Sequence, residues 1–175
     1  MLIPRDLQHY ARIKQHTQGK TMLMLGHQDT VVGRAQDVFG VTEYKTLDPD
    51  GGDYAVDLTG DLSHMYEKWD VVFNLGTIEH IWDAHTAYCN AARMVKVGGL
   101  FIGHAPVGPQ YINHGIHLTN SKAILKFFEN NGFRHLDHWH TERTLLWQIS
   151  VKESSVDQFR VPLQLWEKFK ETNIS

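Results

Sequence analysis

The sequence predicts an α/β fold in three layers, a mostly parallel sheet with helices on both faces. Three observations carry this prediction. Short, continuous apolar runs of strand length recur at Thr21–Leu25, Asp70–Asn74 and Leu100–Gly103. Continuous rather than alternating hydrophobicity suits a strand covered on both sides. Helical segments alternate with these runs, which implies right-handed crossovers between parallel strands. Two strands then follow the last helix in direct succession and read as an antiparallel pair.

In chain order, residues 5–18 read as a short polar helix stopped by Gly19. The first strand, 21–25, closes at Gly26. Residues 29–38 read as a helix capped by Asp29 or Thr30, and 41–47 as a second strand ending at Leu47-Asp48. Pro49-Asp50-Gly51-Gly52 is a turn, and Tyr54-Ala55-Val56 a short third strand ending at Asp57. The fourth strand is 70–74. Residues 78–97 form the longest predicted helix, with Ile81, Tyr88, Ala91, Ala92 and Val95 near helical spacing and Gly98-Gly99 as its stop. The fifth strand is 100–103, and 106–118 is a loop rich in Pro, Gly and His. Asn120 or Ser121 caps a helix through Asn131, with Ile124, Leu125, Phe127 and Phe128 inward. Residues 133–140 and 144–152 complete seven strands, the last antiparallel. In the tail, 153–175, residues 156–175 read as a helix using Leu163, Leu165, Trp166 and Phe169 to cover the core or pair subunits. A single domain over 1–175 is expected, with its core at about 20–152 and no repeat or linker.

Composition narrows the setting. The 175 residues are 42% hydrophobic, 11% aromatic and 21% charged, an ordinary globular profile. No run approaches the length of a membrane span, and Met1–Asp6 does not resemble a secretory signal. Cys89 is the sole cysteine and reads as a small core residue, so no disulfide can form within the chain and a cytoplasmic setting is expected. Lys plus Arg is 17 against 20 for Asp plus Glu, a net of −3 with no basic stripe. Arg12, Lys14 and Lys20 read as a solvated face, which disfavours DNA as a partner.

In open parallel sheets ligands bind beyond the carboxyl ends of the strands. Here those ends follow Leu25, Leu47, Val56, Phe73 and Ile102. Gly26 lets a ligand approach the backbone, but Gly33 lies too far along to complete a dinucleotide fingerprint. Asp48 lies 22 residues after Gly26, near the spacing of an acid that accepts two ribose hydroxyls, and equally suits an ordinary turn. Asp57-Leu58 offers an acid for an adenine amino group, or a helix or loop cap. Asn74-Leu75-Gly76 ends the fourth strand, Glu79-His80 opens the predicted long helix, and Gly103-His104 ends the fifth strand.

Taken together, these residues have a family resemblance. The run from Trp69 through Asn74-Leu75-Gly76-Thr77-Ile78-Glu79-His80 to Ile81 resembles the fourth-strand motif of class I S-adenosylmethionine-dependent methyltransferases. Val95-Lys96-Val97-Gly98-Gly99-Leu100-Phe101-Ile102 resembles their leucine-lysine-proline-glycine-glycine turn, with Val97 where proline is common. Asn130-Asn131-Gly132-Phe133 resembles their turn into strand six. The resemblance spans about 20–152 and implies the Rossmann-like methyltransferase fold. It also implies that Gly26, His27 and Gln28 line the methionine end of S-adenosylmethionine, Asp48 holds the ribose, Asp57 and Leu58 flank the adenine, and Asn74, Leu75 and Gly76 floor the site. The first motif departs from the family's Gly-x-Gly-x-Gly, reading Gly26-His27-Gln28-Asp29-Thr30. The Asn/Asp-Pro-Pro-aromatic signature of nucleobase amine methylation is absent.

A hydroxyl acceptor needs a base, and His80 is the first candidate. A helix N-terminus would keep it uncharged, while a structural histidine bonding the loop is an equal reading. Glu79 beside it and His104 are the further catalytic candidates. Tyr111, Asn113, His114 and His117 offer polar and aromatic contacts to an acceptor. His114 and His117 lack carboxylate or cysteine partners at ligand spacing, so no metal is expected. The expected function is methyl transfer from S-adenosylmethionine to a small-molecule or glycan acceptor at oxygen, leaving S-adenosylhomocysteine. The main alternative is a non-catalytic, methyltransferase-like scaffold; a nicotinamide oxidoreductase and a histidine-based metal hydrolase are weaker ones. No membrane partner is expected, and a homo-oligomer is left open.

Overall fold

The structure is a computed structural model that describes residues 7–26, 35–107, 115–116, 120–141 and 144–160. Helix α1 is Leu7–Thr17, followed by β1 Thr21–Leu25, α2 Ala35–Phe39, β2 Glu43–Leu47 and β3 Trp69–Leu75. After β3 come α3 Ala84–Met94, β4 Val95–Pro106, α4 Ser121–Asn130, β5 Phe133–Thr141 and β6 Leu145–Lys152. Among the described residues the sheet has six strands in the order β2-β1-β3-β4-β6-β5. Strands β2, β1, β3 and β4 run parallel, and β6 lies antiparallel between β4 and β5. The last strand is therefore the reversed one, as the sequence predicts.

Both faces of the sheet are covered. Met22 and Met24 of β1 pack with Tyr10 and Ile13 of α1 and Phe39 of α2. Leu23 and Leu25 face the other way, into a cluster with Ala87 and Tyr88 of α3 and Phe127 and Phe128 of α4. A strand with core on each side has no solvent face to make polar, which explains the unbroken Met22-Leu23-Met24-Leu25 run. Helix α1 ends where the sequence predicts: Gly19 adopts φ +75° and its N–H donates to Gly40 O at 2.8 Å. Asn120 caps α4, its side-chain oxygen accepting from the N–H groups of Lys122 and Ala123.

Local expectations change at the third strand, at the long helix and at the start of the tail helix. The third strand is reduced to one parallel bridge, Leu47 to Tyr54. The Asp53 carboxylate accepts from Thr46 N at 3.0 Å, and Tyr54 N donates to Thr46 O at 3.0 Å. These bonds make a tight return at Gly52, φ +83°, and no ladder continues beyond it.

The predicted helix over 78–97 is shorter and starts later. Ile78–His80 is a single 3-10 turn, and α3 starts only after Asp83, whose carboxylate accepts from Thr86 N at 3.0 Å. Val95 and Val97 leave the helix for β4, as β-branched residues do when a strand is available. Gly98-Gly99 then belongs to an excursion in β4 between the Trp69–Val95 and Val71–Leu100 pairings, with Gly98 at φ +83°.

The helix expected over 29–38 lies partly outside the described residues, which include only α2. In the tail, residues 153–160 are not helical, and Leu163, Leu165, Trp166 and Phe169 lie outside the described residues.

Candidate functional site

Four parallel strands bring their carboxyl ends to one edge. Register pairs Leu25 with both Leu47 and Asn74, Asn74 with Gly103, and Leu75 with His104. Gly26, Asp48, Asn74-Leu75-Gly76 and His104, from four separate stretches of the sequence, therefore share that edge.

The end of β1 tolerates no side chain. Gly26 is buried at φ +83°, and its N–H donates to Leu47 O at 2.8 Å. A Cβ there would run into Thr77 Oγ1, and its backbone would be strained as well. Thr77, which the sequence reading did not single out, holds this corner with its hydroxyl.

Asn74 is buried and both ends of its side-chain amide are hydrogen-bonded. Its Oδ1 accepts from Thr77 N and Ile78 N, both at 3.1 Å, and its Nδ2 donates to His104 O at 3.3 Å. It therefore fixes the turn after β3, which carries Gly76 at φ +75°. Gly76 N donates to His104 O at 3.3 Å, tying the same turn to β4.

Asp48 is half-buried at the end of β2, with Oδ1 accepting from Asp50 N at 2.9 Å. Asp57 is exposed and forms a local turn, its Oδ1 accepting from Thr59 N and Thr59 Oγ1, both at 2.8 Å. Leu58 is buried in the core with Leu62 and Met65, and its carbonyl accepts from Asn90 Nδ2 at 2.8 Å. Asp57 is thus at the surface while Leu58 points into the core.

Glu79 and His80 separate sharply. His80 is exposed, and its N–H donates to Thr77 O at 3.0 Å. It sits in a three-residue turn rather than at the N-terminus of α3, so the helix-dipole argument for its protonation state does not apply. Glu79 is only 3% exposed. Burial pushes its carboxyl up to about 7, opposed by its own backbone N–H. His104 packs its ring on Trp147, centroids 4.3 Å apart.

His27, Gln28, Tyr111, Asn113, His114 and His117 lie outside the described residues. The loop that carries the last four touches down at Gly115-Ile116, where Ile116 N donates to Glu79 O at 2.8 Å. Among the described residues no three His, Cys, Asp or Glu side chains gather as a metal site. Gln148 was also missed. It is buried beside Asn74 and Gly103, and neither of its amide atoms has a hydrogen-bond partner. A lone amide in the apolar run Leu145–Val151 was a visible signal for it.

No family model and no curated protein matches the sequence. Solved structures do match the fold. A chain in the complex of the Haloferax volcanii Trm112 methyltransferase activator with a candidate methyltransferase superposes at TM-score 0.65 and 16% identity, covering 84% of this chain and 88% of that one. Burkholderia thailandensis 1,6-didemethyltoxoflavin-N1-methyltransferase, solved with S-adenosylhomocysteine, gives 0.63 and 14%, covering 84% and 77%. The [4+2]-cyclase SpnF gives 0.60 and 16%, covering 77% and 58%. The six-stranded sheet with its reversed last strand and the clustered strand ends agree with these superpositions: the chain has the Rossmann-like fold of the class I S-adenosylmethionine-dependent methyltransferases.

Proposed function

We propose that this chain transfers a methyl group from S-adenosylmethionine to the oxygen of a small-molecule or glycan acceptor, as a single domain in the cytoplasm. One observation carries the proposal: Gly26, Asp48 and Gly76 stand at the ends of three adjacent strands, β1, β2 and β3, of a methyltransferase fold. The residues fit the cofactor. Gly76 at positive φ keeps the turn after β3 free of a side chain beside the Thr77 hydroxyl that fills the corner at Gly26, and the Asp48 carboxylate stands at the end of β2 for a ribose diol.

In this reading Gly26, His27 and Gln28 line the methionine end and Asp48 holds the ribose. Asp57 and Leu58 flank the adenine, with the Leu58 contribution coming from backbone because its side chain is in the core. Asn74 holds the turn that puts Leu75 and Gly76 under the ligand. Tyr111, Asn113, His114 and His117 contact the acceptor, and Glu79, His80 and His104 are the candidates for handling its proton. The bound cofactor supplies an electrophilic methyl on a sulfonium. The protein's part is to hold two reactants in attack geometry, exclude water and accept a proton.

The departure at Gly26-His27-Gln28-Asp29-Thr30 favours a second reading, a non-catalytic binding or scaffold protein of the same fold. Calorimetric titration with S-adenosylhomocysteine, with NAD as control, separates the two. Micromolar binding of the first alone, abolished by Asp48→Ala, supports methyl transfer. Binding of neither puts the scaffold reading first.

A further inference from the structure

Glu79 is the one carboxylate, among the described residues, with an oxygen buried and without a hydrogen-bond partner: Oε2. Buried carboxylates are ordinarily paired, because an unpaired one gives up its hydration for nothing. The space around Glu79 is shaped by glycine. A Cβ on Gly76 would stand 3.2 Å from Glu79 Oε1 and 3.8 Å from His104 Nδ1. A Cβ on Gly115 would stand 3.2 Å from Glu79 Cγ and 2.8 Å from its carbonyl oxygen. The carboxylate and the imidazole thus approach a common point above Gly76, at the end of β3. His80, by contrast, is exposed on a 3-10 turn.

Resting on the methyl-transfer reading, we propose that Glu79, not His80, takes the proton of the acceptor, and that the acceptor is a hydroxyl compound held over Gly76 between Glu79 and His104. An oxygen lone pair of the acceptor forms the new bond to the methyl carbon. The carbon–sulfur bond breaks and its electron pair stays on sulfur. The acceptor's proton passes to the Glu79 carboxylate, so one negative and one positive charge are cancelled together. A buried carboxyl that titrates near neutrality is both ionised and basic enough for this step. Among the described residues, His104 is the titratable group that faces it across Gly76, and no charge among them adds to its shift.

Sinefungin tests the assignment without knowledge of the acceptor. It shares the adenosyl and amino-acid ends of S-adenosylhomocysteine, but a carbon bearing an ammonium replaces the sulfur and directs that ammonium where the transferred methyl would be, so it reports any carboxylate at the acceptor's position. The ratio of the two affinities cancels contacts to their common ends. By calorimetry at pH 8, the native protein is expected to bind sinefungin at least about 10-fold tighter than S-adenosylhomocysteine, in the range of a charge-assisted contact. Glu79→Gln should erase this preference and leave S-adenosylhomocysteine within about 2-fold, while His80→Ala keeps the preference. In the native protein the preference should also vanish below about pH 6, a readout that survives if the Gln variant misfolds. A preference absent from the native protein at pH 8, or persisting in Glu79→Gln, overturns the assignment. Equal loss of both ligands in Glu79→Gln does so too, by moving Glu79 to the cofactor's amino-acid end. If S-adenosylhomocysteine itself fails to bind, the methyl-transfer reading falls and takes the assignment with it.

Discussion

Thr77 Oγ1 donates to Leu25 O at 2.7 Å, so a hydroxyl from the loop after β3 closes the end of β1. The same oxygen stands where a side chain on Gly26 would have to go. Gly26→Ala is therefore expected to cost about 2 kcal/mol or more, from positive φ and from the clash together. Thr77→Ala should cost about 1 kcal/mol for the lost bond. The double variant should be less destabilised than the two losses added, because one change relieves the clash of the other. Urea denaturation of the three proteins checks this.

His135 makes stability depend on mild acid. Its Nε2 donates to Leu125 O at 3.0 Å, so its Nδ1 is the acceptor for Ser150 Oγ at 2.8 Å. Burial lowers its pKa, outweighing the Leu125 carbonyl and Glu129, which raise it, while His138 adds to the lowering. A depressed histidine contributes stability above its unfolded pKa of about 6.5, and that contribution fades as pH falls below it. Melting curves from pH 7.5 to 5 should show native stability dropping more steeply than that of His135→Gln.

Asp70 acts lower on the pH scale. Burial alone would raise its carboxyl, but the Lys96 ammonium at 2.8 Å and the N–H and hydroxyl of Thr21 outweigh it and bring it down to about 2. Its contribution is full above the unfolded value of about 4 and disappears as pH falls from there towards 2. The pair is partly solvated, so about 1 kcal/mol is expected at neutral pH. Asp70→Asn should lose that stability at pH 7 and show a flatter acid limb. Cofactor binding should be unchanged, because Asp70 lies at the opposite end of β3 from Gly76.

Much of this was legible in the sequence because apolar runs and turn residues are local signals. The ends of β1, β2 and β3, the Asn120 cap and the reversed final strand follow from such signals, whereas the third predicted strand and the end of the fifth do not. The break in the predicted 78–97 helix was not legible, because Val95 and Val97 suit a helix face and a strand equally. The neighbouring Trp69 and Leu100 pairings decide between them. The burial of Glu79 was hidden for a related reason: its cover comes from Gly115, far along the chain, and a Glu-His pair in isolation reads as solvated.

Asn131 fastens the tail. Fully buried, it donates to Phe127 O at 2.7 Å and Arg160 O at 3.0 Å, and accepts from Arg160 N at 2.7 Å. Asn131→Ala is expected to cost about 2 kcal/mol, since several buried bonds are lost at once. It should also free the backbone at Arg160, so trypsin should cut after Arg160 several-fold faster than in the native protein, followed by mass spectrometry.

The position of β6 between β4 and β5 carries a consequence for biosynthesis. When residues up to 141 have left the ribosome, β5 exists but its one sheet neighbour among the described residues, β6, does not. A nascent chain can zip β2, β1, β3 and β4 together in turn, yet β5 must wait, and β4 keeps a bare edge meanwhile. Among the described strands after β1, β5 is the one that is made before any of its sheet neighbours. The vulnerable interval for mispairing therefore falls late in translation and closes only when Leu145–Lys152 slides into the gap.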